Sequence, residues 1–528
     1  MKMRLAMKFV AGEELYWAAD YFRGADCLVF DDVTYTYDDI DSRSNCYGNV
    51  LLAMGCSTGE RVGLLLHNSV ESLECLFGVI KSGAAFIAMN ARNSISEHRQ
   101  IFADGCPKVV FSSEAFRDVI NPLAEEFPEI KFVGIGWSDR NVISYGTLAA
   151  STSSERPYIE VKNSDIGRLH YTSGSTGLPK GVVMSNEVLR ERLFSFFATY
   201  EPEFSVNDTM LHVAPLTHAA GIWVIPCYMR GVKSIVLPHF DLDVLISSIE
   251  QYQVTQMMLV PTMMTRFVAA AERGNYNLSS LKVINYGTAP VPAETLVRGI
   301  RCLGKIFRQF YGMTECPQPI AIFRSTDHDI ETKQGLRRLA SCGKLAFNTS
   351  VVIRDENGQP VLEGEVGEIT LKLQRQAATS YWRDPEMTAL MQRDGWFYSG
   401  DLGRIDQEGY FYIVGRTKDM IISGGFNIYT REIENVLYSH PAVFEACVFG
   451  TPDPEWGETV TAAVIRKEGI QVTEKDLVDF CKNKIASFKK PRILYFVEEL
   501  PKNHAGKFNK LKIRESFLAK NRFNVVIT

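Results

Sequence analysis

The chain has 528 residues, too many for one ordinary hydrophobic core, so two or more domains are expected. Hydrophobic residues make up 46% and charged residues 23%, the balance of a soluble globular protein, and a net charge of -5 lacks the basic excess a nucleic-acid binder needs. The 11 cysteines show no paired CxxC spacing, which points to reduced thiols in a cytoplasmic protein rather than to a disulfide or zinc framework.

Residues 1–12 are basic but lack the apolar core and small-residue cleavage site of a secretion signal. No apolar run is long enough to span a bilayer, so no transmembrane segment is expected. Residues 61–66, 70–81 and 84–89 read as a strand, a helix and a strand, the first unit of an α/β sheet. Next comes Tyr171-Thr172-Ser173-Gly174-Ser175-Thr176-Gly177-Leu178-Pro179-Lys180-Gly181. Glycines let the backbone approach phosphate oxygens, hydroxyls add donors and the lysine adds a point charge, so the segment predicts a polyphosphate site. It is not a P-loop, because that pattern needs Gly-Lys followed by Ser or Thr, whereas Lys180 lies between Pro179 and Gly181; Gly506-Lys507 is followed by Phe508 and fails too.

The strand and helix alternation returns at 256–260, 282–286, 294–303 and 305–310. Ligands of such sheets bind at the carboxyl ends of strands, which places Gly287-Thr288-Ala289-Pro290 and Tyr311-Gly312 where a nucleotide is expected. Residues 341–415 become short β-rich pieces with turns such as Glu356-Asn357-Gly358. A boundary falls near Lys418, after which a smaller mixed segment has a helix at 432–438, strands at 443–449 and 460–465, and a helix at 474–485.

Six further segments follow the glycine-rich loop in order: Pro215-Leu216-Thr217-His218-Ala219-Ala220-Gly221, Tyr311-Gly312-Met313-Thr314-Glu315, Ser399-Gly400-Asp401-Leu402, Gly415-Arg416-Thr417-Lys418-Asp419, Gly424-Gly425-Phe426-Asn427-Ile428-Tyr429, and Pro501-Lys502-Asn503-His504-Ala505-Gly506-Lys507. This ordered set resembles the motifs of the acyl-adenylate-forming superfamily, in its acyl-CoA synthetase branch. The resemblance implies an α/β fold: a large N-terminal domain, residues 1–417, of two α/β sheet subdomains plus a distorted β-barrel, and a small mobile α+β C-terminal domain, residues 418–528, that acts as a lid.

The resemblance also implies roles. Thr172, Ser173, Gly174, Ser175, Thr176, Gly177 and Lys180 would surround the phosphates of ATP. Gly287, Thr288, Ala289, Pro290, Gln309, Phe310, Tyr311, Gly312, Met313 and Thr314 would enclose the AMP moiety, with Tyr311 against adenine. Asp401 has two acceptor oxygens for the ribose hydroxyls and Arg416 offers donors to the same sugar. Glu315, with Thr172, would hold Mg2+, a hard cation that prefers carboxylate and phosphate oxygens. Lys507, His218, Thr176 and Glu315 would be catalytic, Lys507 by reaching between the acid carboxylate and the α-phosphate. Lys418 would be the hinge about which the lid turns, and Ser423, Gly424 and Gly425 would then open a passage for CoA. His218, Ala219, Ile222, Trp223, Tyr286 and Phe310 would line the acid pocket. Taken singly, these residues read as turns, solvated lysines and ordinary core.

Amino-acid-activating relatives carry an aspartate where this chain has Ala219, so an acid without an α-amino group is expected. Phe310 stands where aromatic-acid ligases often have glycine, Thr430 replaces a frequent proline, and His504-Ala505 replaces a common small hydroxyl pair. The expected activity is a Mg2+-dependent acid:CoA ligase acting on a hydrophobic acid, medium- or long-chain fatty acids first and aryl or alicyclic acids second. The alternatives are a ligase that loads a carrier protein and an inactive module that binds acyl-AMP or ATP. Homodimerisation is open.

Overall fold

The computed structural model describes residues 8–173, 179–200, 205–217, 219–289, 291–316, 319–373, 380–502 and 508–520. Strands Arg61–Leu65 and Ala85–Ala88 pair in parallel through helix Val70–Lys81, the unit expected there. Ser69 starts that helix by accepting from the Ser72 amide in a reciprocal capping box. The strands belong to an eight-stranded sheet that ends in the antiparallel strands Ile166–Ser173, Pro179–Ser185 and Ser380–Tyr381. A second sheet has nine strands; its central ones, including Thr209–His212, Gln256–Leu259, Val283–Gly287 and Phe307–Tyr311, are parallel.

Helix Val70–Lys81 lies between the two sheets. Cys75 and Val79 pack with Leu64 and Phe86 of the first, while Leu73 and Phe77 pack with Leu28 and Val236 of the second. Covered on both sides, the helix has to pair its polar groups. Lys81 therefore bonds Asp41 at 2.6 Å and Ser44 and Asn45 at 2.8 Å, and Glu74 meets Arg43 at 2.6 Å. The outer face of the first sheet packs on helices Ile95–Gly105 and Arg117–Glu126, and that of the second on Leu242–Tyr252, Pro261–Ala271 and Ala293–Leu303.

A third, antiparallel sheet of five strands includes Val351–Arg354, Gly367–Lys372, Trp396–Ile405 and Phe411–Arg416. Its apolar side, Ile353, Ile369 and Phe411, packs on Ala321 at the edge of the second sheet. This half-barrel is what carries Asp401 to the end of strand Phe307–Tyr311. The chain then passes through the short turn Thr417–Asp419 into a last five-stranded sheet covered by helices Thr430–Tyr438 and Glu474–Lys482.

Boundaries in this last part differ from the sequence reading: the helix expected at 432–438 begins at Thr430, and the strand expected at 460–465 runs Gly457–Arg466. The strand expected at 443–449 continues to Asp453, because Thr451 pairs with Thr459 and its hydroxyl bonds that of Thr461 at 2.8 Å. Asp453 then accepts from the Glu455 and Trp456 amides, so the turn falls there and not at Gly450. The helix expected at 474–485 stops at Lys482, with Asn483 as its cap.

Candidate active site

The segment expected to hold phosphate is flanked by the antiparallel strands Ile166–Ser173 and Pro179–Ser185. Residues 174–178 lie outside the described residues, and with them Gly174, Ser175, Thr176 and Gly177; so do His218, Pro290 and Lys507 and the side chains of Ser173 and Ala219. The flanking register puts Thr172 opposite Lys180 and Ser173 opposite Pro179. Pleating sends alternate side chains to opposite faces. Leu169 and Tyr171 face the helix layer outside the sheet, where the Tyr171 hydroxyl donates to Asp104 at 2.5 Å, so Thr172 belongs to the inner face.

A polar group forms where the second and third sheets meet. Asp401, 6% exposed, accepts from the Tyr311 hydroxyl at 2.8 Å and pairs with Arg416 at 2.9 Å, its neighbour across the strand pair. The aspartate charge holds the Arg416 guanidinium above its ordinary value. Burial first, and then the same charge, raises the Tyr311 phenol well above its own, so Tyr311 stays a donor. Gly400, at φ 68°, adopts the left-handed bend beside Asp401 that only glycine takes without strain. Arg431, on the helix that opens the last part of the chain, is held down by burial, with the Glu434 and Asp401 carboxylates acting in the other direction, so that helix lies near the same group.

Gly287 ends its strand beside Phe310, and a Cβ there would lie 2.6 Å from the Phe310 carbonyl oxygen. Thr288 follows at φ 69°, a strained value for a β-branched residue, with its hydroxyl buried and unbonded. Ala289 ends the described part of that loop. Gln309 is buried and points its amide at Cys342, with 3.9 Å between the amide nitrogen and the sulfur. Beyond Gly312 the Met313 amide donates to the Cys316 carbonyl, and this turn carries Thr314 and Glu315. Glu315 accepts from the Tyr381 hydroxyl at 2.8 Å, and Tyr381 sits on the strand next to the returning arm of the phosphate hairpin. Sequence reading did not single out Tyr381: its partner is distant in the chain, and Tyr381-Trp382 has no local pattern of its own.

The expected acid pocket is rearranged. Trp223 and Phe310 are fully buried and in edge contact, with ring centroids 5.2 Å apart, inside an aromatic cluster with Phe196 and Tyr200; Ile222 packs against it. Tyr286 is placed on the other side of the sheet. Strand alternation puts it with Ile284 in the outer core, where its hydroxyl meets the ring of His328 at 2.9 Å, so it cannot line a pocket with Trp223. A small cavity of about 20 Å³ lies between the sheets, lined by Leu64, Leu66, Phe86, Leu216, Thr217 and Val224. Asn68 fixes that wall: it accepts from the Leu216 amide at 2.9 Å and donates to the Ala214 and Leu237 carbonyls at 3.1 Å.

In the last part of the chain Lys418 is exposed and Ser423 is buried. Gly424 and Gly425 have φ of 56° and 79°, and a Cβ on Gly424 would meet the Trp456 ring at 2.6 Å, so the glycines fit both the turn and the close approach. All eleven cysteines are free. Among the described residues no cluster of three or more His, Cys, Asp or Glu could hold a metal, and no helix is long and apolar enough to cross a membrane.

The profile described as AMP-binding enzyme matches residues 15–382, and that of the AMP-binding enzyme C-terminal domain matches residues 432–507. A feruloyl-CoA synthase of an Amycolatopsis species is 34% identical over 484 residues, 91% of this chain and 94% of that protein. A medium/long-chain fatty-acid CoA ligase of Mycobacterium tuberculosis is 31% identical over 523 residues, 96% of this chain and 90% of its own length. The crystal structure of an anthranilate CoA ligase in complex with anthranoyl-AMP superposes with a TM-score of 0.88 at 26% identity, covering 98% of this chain and 99% of the other.

Proposed function

The chain belongs to the AMP-binding enzyme family, and on that premise we propose that it is an acid:CoA ligase that converts a hydrophobic carboxylic acid, ATP and CoA into acyl-CoA, AMP and pyrophosphate. The observation that carries this reading is the buried Asp401 carboxylate, set by Tyr311 and Arg416 at the carboxyl end of a parallel strand, where a ribose diol would bind. In the first step a carboxylate oxygen attacks the α-phosphorus and pyrophosphate leaves. In the second the CoA thiol attacks the acyl carbon, AMP leaves with that oxygen, and the thiol proton goes to solvent.

Thr172, Lys180 and the glycine-rich tip would hold the phosphates, and Lys507 would neutralise charge between carboxylate and α-phosphate. Pre-placed donors of this kind cost no reorganisation during reaction. His218 and Ala219 would stand beside the reacting carboxylate. We place the domain division at 417/418 with Lys418 as hinge, so that rotation of residues 418–528 brings Gly424 and Gly425 to the cleft for the thiol step.

The donors present fit Mg2+: Glu315 offers a hard carboxylate with one oxygen oriented by Tyr381, and a cation held by one carboxylate completes its shell with phosphate oxygens and water. Mg2+ bound there would offset the charge of the polyphosphate. Tyr381→Phe is expected to raise the Mg2+ concentration for half-maximal pyrophosphate release about 10-fold, since the oriented carboxylate loses its donor. A metal titration unchanged from wild type would remove Tyr381 from this role.

Similarity to fatty-acid and feruloyl ligases supports fatty and aryl acids alike as substrate classes, of which fatty acids are proposed first. The test is pyrophosphate and AMP release with Mg-ATP and a panel of fatty, aryl and amino acids, each with and without CoA. Acid-dependent pyrophosphate together with CoA-dependent thioester is expected. Pyrophosphate formed without any CoA-dependent turnover would contradict the choice of CoA as acceptor.

A further inference from the structure

Strand Trp396–Ile405 is irregular where it carries Asp401. Its partner Gly367–Lys372 sets Glu368 opposite Leu402 and Thr370 opposite Tyr398, so Ile369 alone faces Ser399, Gly400 and Asp401. The extra residues on one strand make a bulge, which interrupts the ladder and re-aims the side chains within it. Backbone groups released by a bulge still need partners. Ser399 stands in for the ladder: its hydroxyl donates to the Ile369 carbonyl at 2.7 Å and accepts from the Asp401 amide at 3.0 Å. The Gly400 amide donates to a Glu368 carboxylate oxygen at 3.0 Å, and the Gly400 carbonyl accepts from the Thr417 hydroxyl at 3.3 Å.

These bonds fix both peptide planes around Gly400. Glu368 holds the plane that enters it, through a charge-assisted bond, while Ser399 and Thr417 hold the plane that leaves it for Asp401. Peptide planes are rigid, so only φ and ψ of Gly400 remain between them. A glycine by itself turns either way with equal ease, and here it is kept at φ 68°. The labour is therefore divided. Tyr311 and Arg416 orient the Asp401 carboxylate, and Glu368 and Ser399 place the backbone from which that carboxylate projects.

We infer that Glu368 and Ser399 are positioning residues for nucleotide binding, which hold the bulge at Gly400 in the turn that delivers the Asp401 carboxylate to the ribose diol. Both act through the backbone. This inference rests on the reading above that Asp401 receives the ribose.

Calorimetric titration with the Mg2+ complexes of ATP, 2′-deoxy-ATP and 3′-deoxy-ATP reads the ribose contribution without an acid substrate. Wild type should bind ATP about 10- to 100-fold more tightly than either analogue, since each analogue lacks one hydroxyl that donates to a charged acceptor. Glu368→Ala should weaken ATP about 10-fold and the analogues less, so the discrimination narrows; Glu368→Gln, which keeps an oxygen for the Gly400 amide, should restore most of it. Ser399→Ala should narrow it likewise, with Ser399→Thr restoring it. In an Asp401→Ala background neither alanine change should weaken ATP further, because residues that act through one group are not additive. Glu368→Ala with wild-type affinity for all three nucleotides, or with the same loss for each, overturns the inference; if that variant does not fold, the same comparison on Ser399→Ala decides. Wild type without discrimination, together with unchanged ATP affinity in Asp401→Ala, would instead defeat the ribose reading and the inference with it.

Discussion

Lys507→Ala is expected to slow acyl-AMP formation by about 100- to 1000-fold, the usual cost of removing one pre-placed charge from the transition state of group transfer. The carboxylate and the α-phosphate are both anionic, and bringing them into contact requires a cation between them that water cannot supply in a closed cleft. Neighbouring lysines cannot take over. Lys502 is engaged with Glu445 at 2.5 Å, and Lys510, half-buried, is held by Glu434 and Thr430 at 2.8 Å, where the Glu434 charge offsets its desolvation. The variant should still turn supplied acyl-AMP and CoA into acyl-CoA, since the proposed rotation would take Lys507 away before the thiol step. Stopped-time assays of pyrophosphate release and of thioester formation from acyl-AMP separate the two. Equal loss in both, or in neither, would take Lys507 out of the adenylation step, and Lys502→Ala serves as the control with little change in either.

Asp401→Ala is expected to raise KM for ATP about 100-fold and to lower stability by about 1 to 2 kcal/mol, a modest figure because the Arg416 side chain is 48% exposed and water screens the charge it is left with. Both oxygens of Asp401 are already placed by Tyr311 and Arg416, so a ribose bound there, as proposed, would meet acceptors that need no rearrangement. Removing the carboxylate takes those acceptors away and also strands a buried phenol and a guanidinium. Tyr311→Phe should have a smaller effect on KM for ATP, because the carboxylate remains. ATP titrations of pyrophosphate release and thermal unfolding check both changes. An unchanged KM in Asp401→Ala would show that the ribose binds elsewhere.

Much of this site is legible in the sequence because its parts are local. A hydroxyl and glycine loop between two strands, an acidic residue in a glycine bend and a tyrosine ending a strand each express in a few residues what the backbone will do. Tyr311 ends a parallel strand, and the antiparallel pair Trp396–Ile405 and Phe411–Arg416 sets Asp401 opposite Arg416 at that end. Which face of a strand meets which layer is not local, and there the reading of Tyr286 failed: both neighbours of the second sheet are apolar, so only packing decides that Tyr286 joins the outer core and Phe310 the inner aromatic cluster. The link from Tyr381 to Glu315 escaped for a related reason, since it depends on a short strand joining the edge of the phosphate hairpin.

The most direct test of acyl-adenylate chemistry follows a carboxylate oxygen. With an acid labelled with 18O in its carboxylate, and with ATP, Mg2+ and CoA supplied, AMP isolated after turnover should carry one labelled oxygen and pyrophosphate none, because the attacking oxygen stays on the α-phosphorus when the thiol displaces AMP. Unlabelled AMP, or label recovered in pyrophosphate or orthophosphate, would contradict attack of the acid on the α-phosphate.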